Sequence, residues 1–598
     1  MTITEERPPA LRDTELLTPS EPTVMAPTVA EPHRPDIDTG GGGRAPEPSP
    51  RAARWPWAMA VIAFFEFLAA GWWMMYVKQY AIGDATTRTL NAKLMVLSSD
   101  PHLGAIGFYW MPIPTFTRIP FVLLLQPFGA AAFAGPMTCA FFGALTIPIV
   151  ASTGRVLEAP RWLVVTVCAV FALSPLTVYI SSNGMSESTF ACFIALTLLA
   201  YARWSRSHHV WDLVFFGVAL ALGTATRYEM LIVAPFLCAG VAVQLSRDRW
   251  VRAFTLAMIP TLLWVGAWGL ASKLIMKDWL FFLHASSGLT KVPDDATWLP
   301  AQRTLLNSLR YSGLMVALIA PGTVFAVVAI RRNLRATLGL IAGATAMPLV
   351  SAYQVHTGTS WAVARFFMVL SVFGTVAVLW AASPLMNPSK PSNPSRPTTR
   401  PRADSRRPSR SNQRIGFAGV AVLVVGVVFG TLHLAVRRNT SPEGEYIFFR
   451  YLLGRDSATT PIVGGPNQLF ESDLRQYYLL RDELDPLLAK GKKVATEVSN
   501  FETLITREPS QYVVPENRNF ELVAADPIGR FDFVVIVKSS AVSSHGQALL
   551  NDIHATTPLG KWVKTRDYTN LTLWEFVPGG KVLTTGPDAG KPPPASSS

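Results

Sequence analysis

The chain has 598 residues, half of them hydrophobic and only 16% charged, with a formal net charge of +13. Arranged in apolar runs of membrane length, that composition excludes an ordinary soluble globule and a disordered polyelectrolyte. The positive excess does not point to a nucleic-acid partner, because much of it lies in short Arg-bearing loops and in one run from Lys390 to Arg414, as expected of cytoplasmic segments.

Residues 1–54 are rich in Pro, Glu, Thr and Gly and are predicted to be a disordered cytoplasmic tail. Arg51 and Arg54 then precede Trp57–Val77, which reads as an uncleaved signal anchor. Further apolar stretches follow at Pro136–Ser152, Trp162–Ser181, Thr189–Tyr201, Trp211–Thr224, Leu231–Leu245, Phe254–Leu274, Ser312–Ile330, Ala336–Ala352, Trp361–Ala382 and Ile415–Ala435. With a span needing about 20 apolar residues, these give a polytopic α-helical protein of about eleven spans, several of them short. Arg118–Gly135 is apolar enough to be ambiguous. Counting it as a span would move every later Arg-rich loop to the outer side, so it is read as re-entrant or interfacial.

The segments divide as follows: 55–382 a membrane domain, 383–414 a Pro/Ser/Arg-rich cytoplasmic linker, 415–436 the last span, and 437–578 an extracytoplasmic domain. Within that last domain, helical periodicity at Asp473–Leu488 and Ala541–His554 alternates with strand-like runs at Lys493–Thr496, Tyr512–Val514, Phe531–Lys538, Trp562–Thr565 and Leu571–Phe576. This predicts a small α/β fold. Residues 579–598 form a disordered tail. The four cysteines, Cys139, Cys168, Cys192 and Cys238, all sit in apolar stretches without metal-ligand spacing and read as small core residues.

The loops sort into two sets. One holds Arg155 and Arg161, Arg203 and Arg206, Arg247, Arg249 and Arg252, and Arg331, Arg332 and Arg335, and is assigned to the cytoplasm. The other holds Asp84, His102, Asn183, Glu187, Arg227, Glu229, His284, His356 and Arg365. Every group able to do chemistry therefore gathers on the outer face. Asp84 follows a glycine close to the bilayer surface, with Arg88 and Lys93 at helical spacing behind it. A carboxylate there suits a general base, a metal ligand or an N-cap for a helix over Ala85–Val96. Glu187 and Glu229 begin apolar segments and are either helix caps or functional groups, with Arg227 available as a local partner. Trp110, in Phe108-Tyr109-Trp110, belongs to an interfacial aromatic belt or stacks on a sugar. Glu66, near the middle of the first span, is expected to face the bundle interior.

The first outer loop contains G-D-A-x-x-R-x-x-x-A followed by P-H-L-G-A-I-G-F-x-W-x-P-x-P. Two further stretches, Ser182-Asn183-Gly184-Met185-Ser186-Glu187 and Thr226-Arg227-Tyr228-Glu229, come later in the same order. Together they resemble bacterial members of the GT-C superfamily, membrane glycosyltransferases related to the protein O-mannosyltransferases and aminoarabinose transferases. The resemblance covers roughly residues 57–365. It implies a GT-C-like fold and transfer of a sugar, with inversion of the anomeric centre as part of that expectation, from a polyprenyl-phosphate donor. The acceptor would be an envelope glycan, lipid or protein outside the cell membrane. It also implies Asp84 as base, Arg227 and Arg365 as the main phosphate-binding cations, and Lys93, His102 and His356 as secondary ones. Arg88, Glu187, Glu229, Trp110 and Asn183 are further site candidates. The superfamily often pairs two acidic residues in this loop, whereas Asp84 has no adjacent partner, so no cofactor is assigned and a divalent metal stays open. The alternative from another class is a transporter or flippase of a lipid-linked saccharide, which would carry internal repeats and broken helices at mid-membrane.

Overall fold

The computed structural model describes residues 54–284, 304–329, 334–357, 364–384, 410–436, 448–449, 452–453, 468–469, 471–496, 501–524, 530–537, 560–568 and 571–578. The N-terminal tail, most of the linker, the helix expected at Ala541–His554 and the C-terminal tail lie outside them.

The membrane domain is built from α1 (Trp55–Trp72, prolonged by a π-helical turn to Val77), α2 (Gly83–Leu97), α3 (Ile119–Leu125) and α4 (Ala134–Val156). It continues through α5 (Arg161–Leu173), α6 (Pro175–Ile180), α7 (Glu187–Ser207), α8 (Val210–Thr224), α9 (Glu229–Ala242) and α10 (Arg247–Met276). It closes with α11 (Leu305–Ile319), α12 (Pro321–Ala329), α13 (Leu334–Thr357), α14 (Arg365–Met368), α15 (Leu370–Ala381) and α16 (Arg410–Val436).

All eleven apolar stretches fall on helices where they are described. Among the described residues, length and composition alone qualify five as single spans: Trp55–Val77, Ala131–Val156, Arg247–Met276, Arg335–Thr357 and Arg410–Val436. A sixth comes from α11 and α12 if that pair, bent by 89°, counts as one. Proline explains two of the shortfalls. The stretch Trp162–Ser181 is not one helix, because Pro175 forces Ser174 into an extended conformation (ψ 125°) and splits it into α5 and α6. Pro321 breaks Ser312–Ile330 at Ala320 in the same way. In the ambiguous segment, α3 is seven residues long, about 10 Å, and cannot cross a bilayer by itself.

The C-terminal domain contains α17 (Glu471–Leu488), α18 (Phe501–Ile505) and a five-stranded sheet. Numbered after the short strands β1 (Ala81–Ile82) and β2 (Gln468–Leu469), its strands are β3 (Val494–Thr496), β4 (Tyr512–Val513), β5 (Phe533–Val537), β6 (Gly560–Asp567) and β7 (Leu571–Pro578). The order is β4-β3-β5-β7-β6, with β3 parallel to both neighbours and β7 antiparallel to both of its own. Leu474, Tyr477, Leu480, Leu484 and Leu488 recur at helical spacing along α17 and bury one face of it on the sheet.

That core does not stop at the domain edge. The same cluster includes Met75, Ala81, Leu90, Leu94, Ala105 and Ala132 from the segment between α1 and α4 and its surroundings. Antiparallel pairing of β1 with β2 adds a backbone link, Ala81 facing Leu469 and Ile82 facing Gln468. The first loop and the C-terminal domain are therefore one packing unit, and α2 lies between that unit and the helical bundle.

Candidate active site

The site is assembled at the N-terminal ends of α2, α7, α9 and α14. Asp84 lies in the first turn of α2, but Ile82 is the N-cap residue and makes no side-chain cap. The capping role considered for Asp84 is thus not realised. Instead Thr86 Oγ1 and Thr87 Oγ1 donate to the Gly83 carbonyl, and Arg365 Nη2 reaches Asp84 Oδ2 at 3.3 Å across 281 positions of sequence. Arg88, one turn on, shares the face of Asp84 because positions four apart lie together on a helix. It is buried at 6% exposure, and its guanidinium sits 4.2 Å from the Trp110 ring centroid. One face of Trp110 is therefore taken by a cation.

Glu187 and Glu229 stand in the first turns of α7 and α9, where neither makes a side-chain cap. Arg227 binds both. Its Nη1 donates to Glu187 Oε1 at 2.7 Å and to Ser186 Oγ at 3.2 Å, while Nε and Nη2 fork onto Glu229 Oε1 at 3.0 and 2.5 Å. Burial weakens the hold of Arg227 on its proton, but Glu229 and Glu187 outweigh that and raise its pKa. The Phe366 ring lies 5.6 Å from the Arg227 guanidinium and 5.3 Å from that of Arg365.

Sequence reasoning missed Arg118, which it placed only at the edge of an interfacial segment. Its side chain is buried and donates through Nη2 to the carbonyls of Gly184 and, at 3.4 Å, Met185. The turn it holds is shaped by Asn183, whose Oδ1 accepts from the Met185 amide at 2.9 Å, and by Gly184 at φ +77°. A side chain on Gly184 would meet Pro136 Cδ at 3.1 Å and Ala85 Cβ at 3.2 Å, so glycine permits the close approach of this turn to α2 and α4. Asn183 is thus part of the scaffold. The one sequence signal for Arg118 was a charge immediately before an apolar Pro-containing run.

The cluster holds four arginines (88, 118, 227, 365) and three carboxylates (84, 187, 229), a formal excess of one positive charge. Nε and Nη1 of both Arg88 and Arg118 are buried without a hydrogen-bond partner among the described residues, as is Glu187 Oε2. Such donors are costly unless something accepts from them. Burial pulls the Arg88 pKa down to about 9, with Asp84 acting in the opposite direction.

Three of the proposed phosphate ligands lie elsewhere. Lys93 follows Arg88 by five positions, about 140° around α2 at roughly 100° per residue, and so faces the C-terminal domain. It is fully buried and donates from Nζ to the carbonyls of Leu504 and Thr506, at 2.8 and 2.7 Å, at the C-terminal end of α18. That geometry corrects its assignment as a phosphate ligand: this cation serves a helix C-terminus. His102 Nδ1 contacts the Asp100 carbonyl at 2.7 Å, and Asp100 in turn binds Arg518 of the C-terminal domain. Arg518 holds the Asp100 pKa down to about 2. His356 is exposed in the last turn of α13. His284 sits exposed and paired with Asp278 at 2.7 Å. Among the described residues no three His, Cys, Asp or Glu side chains group to hold a metal ion, so no step is assigned to one.

Fold and site together define a helical membrane protein that gathers ionised side chains at one end of its bundle and ties that end to an α/β domain. No protein-family model matches the chain, and no curated protein sequence matches it. Among solved structures it is similar to ArnT from Cupriavidus metallidurans bound to undecaprenyl phosphate, at 14% identity and TM-score 0.48, covering 88% of this chain and 98% of that one. It is similar to the apo state of the same protein at 13% identity and TM-score 0.46, with the same coverage.

Proposed function

We propose that this chain is an integral membrane glycosyltransferase of GT-C type that moves a sugar from a polyprenyl-phosphate donor to an acceptor at the extracytoplasmic face, with inversion. The observation that carries the reading is the pairing of Asp84 with Arg365, with Arg88 on the same face of α2, beside buried guanidinium donors that have no acceptor among the described residues. A lipid phosphate departs as an anion and needs no proton from the protein, so the step requires one base and several cations. Glycoside hydrolysis would require two carboxylates flanking the bond instead.

In this mechanism the acceptor hydroxyl oxygen bonds to the anomeric carbon, and the bond from that carbon to the phosphate oxygen breaks with its electron pair kept by the phosphate. The hydroxyl proton passes to Asp84, whose Oδ2 is oriented by Arg365, leaving Oδ1 as the receiving atom. Arg88 and Arg365 serve the phosphate. Arg227 orders Glu187 and Glu229 rather than the donor, because its donors are already committed to those carboxylates. The flippase alternative has less support. The bent α11/α12 pair borders a groove lined by Ala317, Leu318, Pro321, Ala421, Val422, Val425, Gly426 and Phe429, with no ionisable side chain to bind a saccharide phosphate.

The test is donor consumption by protein reconstituted in bilayers with a panel of polyprenyl-phosphate sugars and an envelope acceptor extract. Asp84→Asn keeps the shape and removes the basicity, and the expected loss is about 10²–10⁴-fold with unfolding unchanged. Near-wild-type transfer by Asp84→Asn would remove the base assignment. Absence of consumption with every donor, together with translocation of a lipid-linked saccharide, would replace the transferase by the flippase.

A further inference from the structure

The end of the bundle opposite Asp84 carries a second group of arginines that the transfer step leaves unused. The C-terminal ends of α4 and α7 border an open crevice of about 470 Å³ lined by Ser152, Arg155, Val156, Leu199, Arg203 and Arg206. Two of its three cations are matched: Arg203 Nε donates to Asp212 Oδ1 at 2.7 Å, and Arg206 binds Glu158 as well as the Val156 carbonyl at 2.9 Å. Among the described residues Arg155 has only a hydroxyl, donating from Nη2 to Ser152 Oγ at 2.8 Å. Three guanidinium groups against two carboxylates leave one positive charge, located at Arg155.

Depth is set by α7. It is 21 residues long, about 30 Å, with Glu187 at one end and Arg206 near the other. That length matches the hydrocarbon layer, so the crevice lies at the head-group level of the leaflet opposite the Asp84 cluster. Val156 and Leu199 give it an apolar wall beside the cations. An arginine fork in that position suits a phosphate oxygen pair better than a point charge would.

We propose that this crevice binds a monoanionic phosphodiester, with the phosphate on Arg155 and Arg206 and the glycerol portion against Val156 and Leu199. This chemistry, with no cationic group beside the phosphate, is presented by an anionic glycerophospholipid of the membrane or by its water-soluble counterpart glycerophosphoglycerol, and the depth of the crevice favours the lipid. Basic pockets between helix ends are a known way of holding anionic head groups. The inference stands apart from the transferase reading, since it uses none of the same residues.

The test is lipid retention by the full chain, read by native mass spectrometry from micelles doped with phosphatidylglycerol or phosphatidylcholine, with glycerophosphoglycerol titrated separately. The wild type is expected to retain one phosphatidylglycerol in preference to phosphatidylcholine. Arg155→Gln, which breaks no ion pair, should weaken retention by about tenfold, and Arg155→Gln with Arg206→Gln should weaken it further. Arg249→Gln removes a charge of the same loop set outside the crevice and should retain wild-type binding. Saturable binding of glycerophosphoglycerol without lipid selectivity would keep the anion site and assign its source to solution. Equal retention by the Arg155 variants, or equal loss in Arg249→Gln, would overturn the site and leave only diffuse surface charge.

Discussion

Two arginine groups sit at the two ends of α7, and they share little beyond residue type. At the Glu187 end, Arg88 and Arg118 are buried and Arg227 is 12% exposed, with Arg118 reaching a carbonyl 66 positions away and Arg227 a carboxylate 40 positions away as well as its neighbour Glu229. At the other end Arg203 and Arg206 are about half exposed, and Arg203 pairs with Asp212 only nine positions away. Water screens the second group, so its ion pairs contribute at most about 1 kcal/mol each. The first group has no such relief, and each charge there depends on a named partner. Buried arginines with idle donors are the better candidates for a site, because an unpaired buried donor needs an acceptor that an exposed one finds in water.

The largest break in that comparison is Arg227→Ala, which strands Glu187 at 1% exposure. Denaturant titration should show a loss of about 3–5 kcal/mol, as for other buried pairs cut on one side. Next comes Lys93→Met, which keeps the apolar stem and leaves the Leu504 carbonyl without its side-chain donor, while the Thr506 carbonyl keeps Gln126 Nε2 at 3.2 Å. It should cost about 1–3 kcal/mol and expose the C-terminal domain to protease before the bundle unfolds. If the C-terminal domain holds α2 in place, this variant also lowers transfer, although it touches no substrate.

A third variant sharpens the comparison through pH. Burial raises the pKa of Glu502, in the first turn of α18, from 4.5 to about 8. The folded state then binds more protons than the unfolded state between those values, so the stability of the C-terminal domain falls as pH rises from 4.5 to about 8. Glu502→Gln should flatten that slope in thermal unfolding across the window. At the small end, Arg206→Gln should shift stability by less than about 1 kcal/mol. A larger loss there would erase the distinction between the two ends.

Much of the site was legible in sequence. Asp84, Arg88, Glu187, Arg227, Glu229 and Arg365 were singled out because ionisable groups beside apolar runs need a reason to be there, and the fold brings them into one cluster. Lys93 was misplaced, since helical spacing puts it on α2 without saying which neighbour covers that face. Arg118 escaped because its acceptors are backbone carbonyls in a turn 66 positions away, and carbonyls leave no mark in sequence. The helix over Glu471–Leu488 and strands β3 to β7 followed from periodicity. The shared core of first loop and C-terminal domain did not, because apolar patterning shows that a face is buried without naming its partner.

The sequence by itself determined the helical membrane class, the sorting of Arg-rich loops from acid- and His-bearing ones, and the α/β character of the terminal domain. Each follows from local composition and periodicity, which act over a few turns of chain. Tertiary structure alone decided that Asp84 meets Arg365 rather than capping its own helix, that Lys93 clasps α18, and that Arg118 closes the Gly184 turn. Those outcomes are choices of partner between distant segments, made by burial in three dimensions, where a charge takes whichever opposite charge or carbonyl the packing brings within reach.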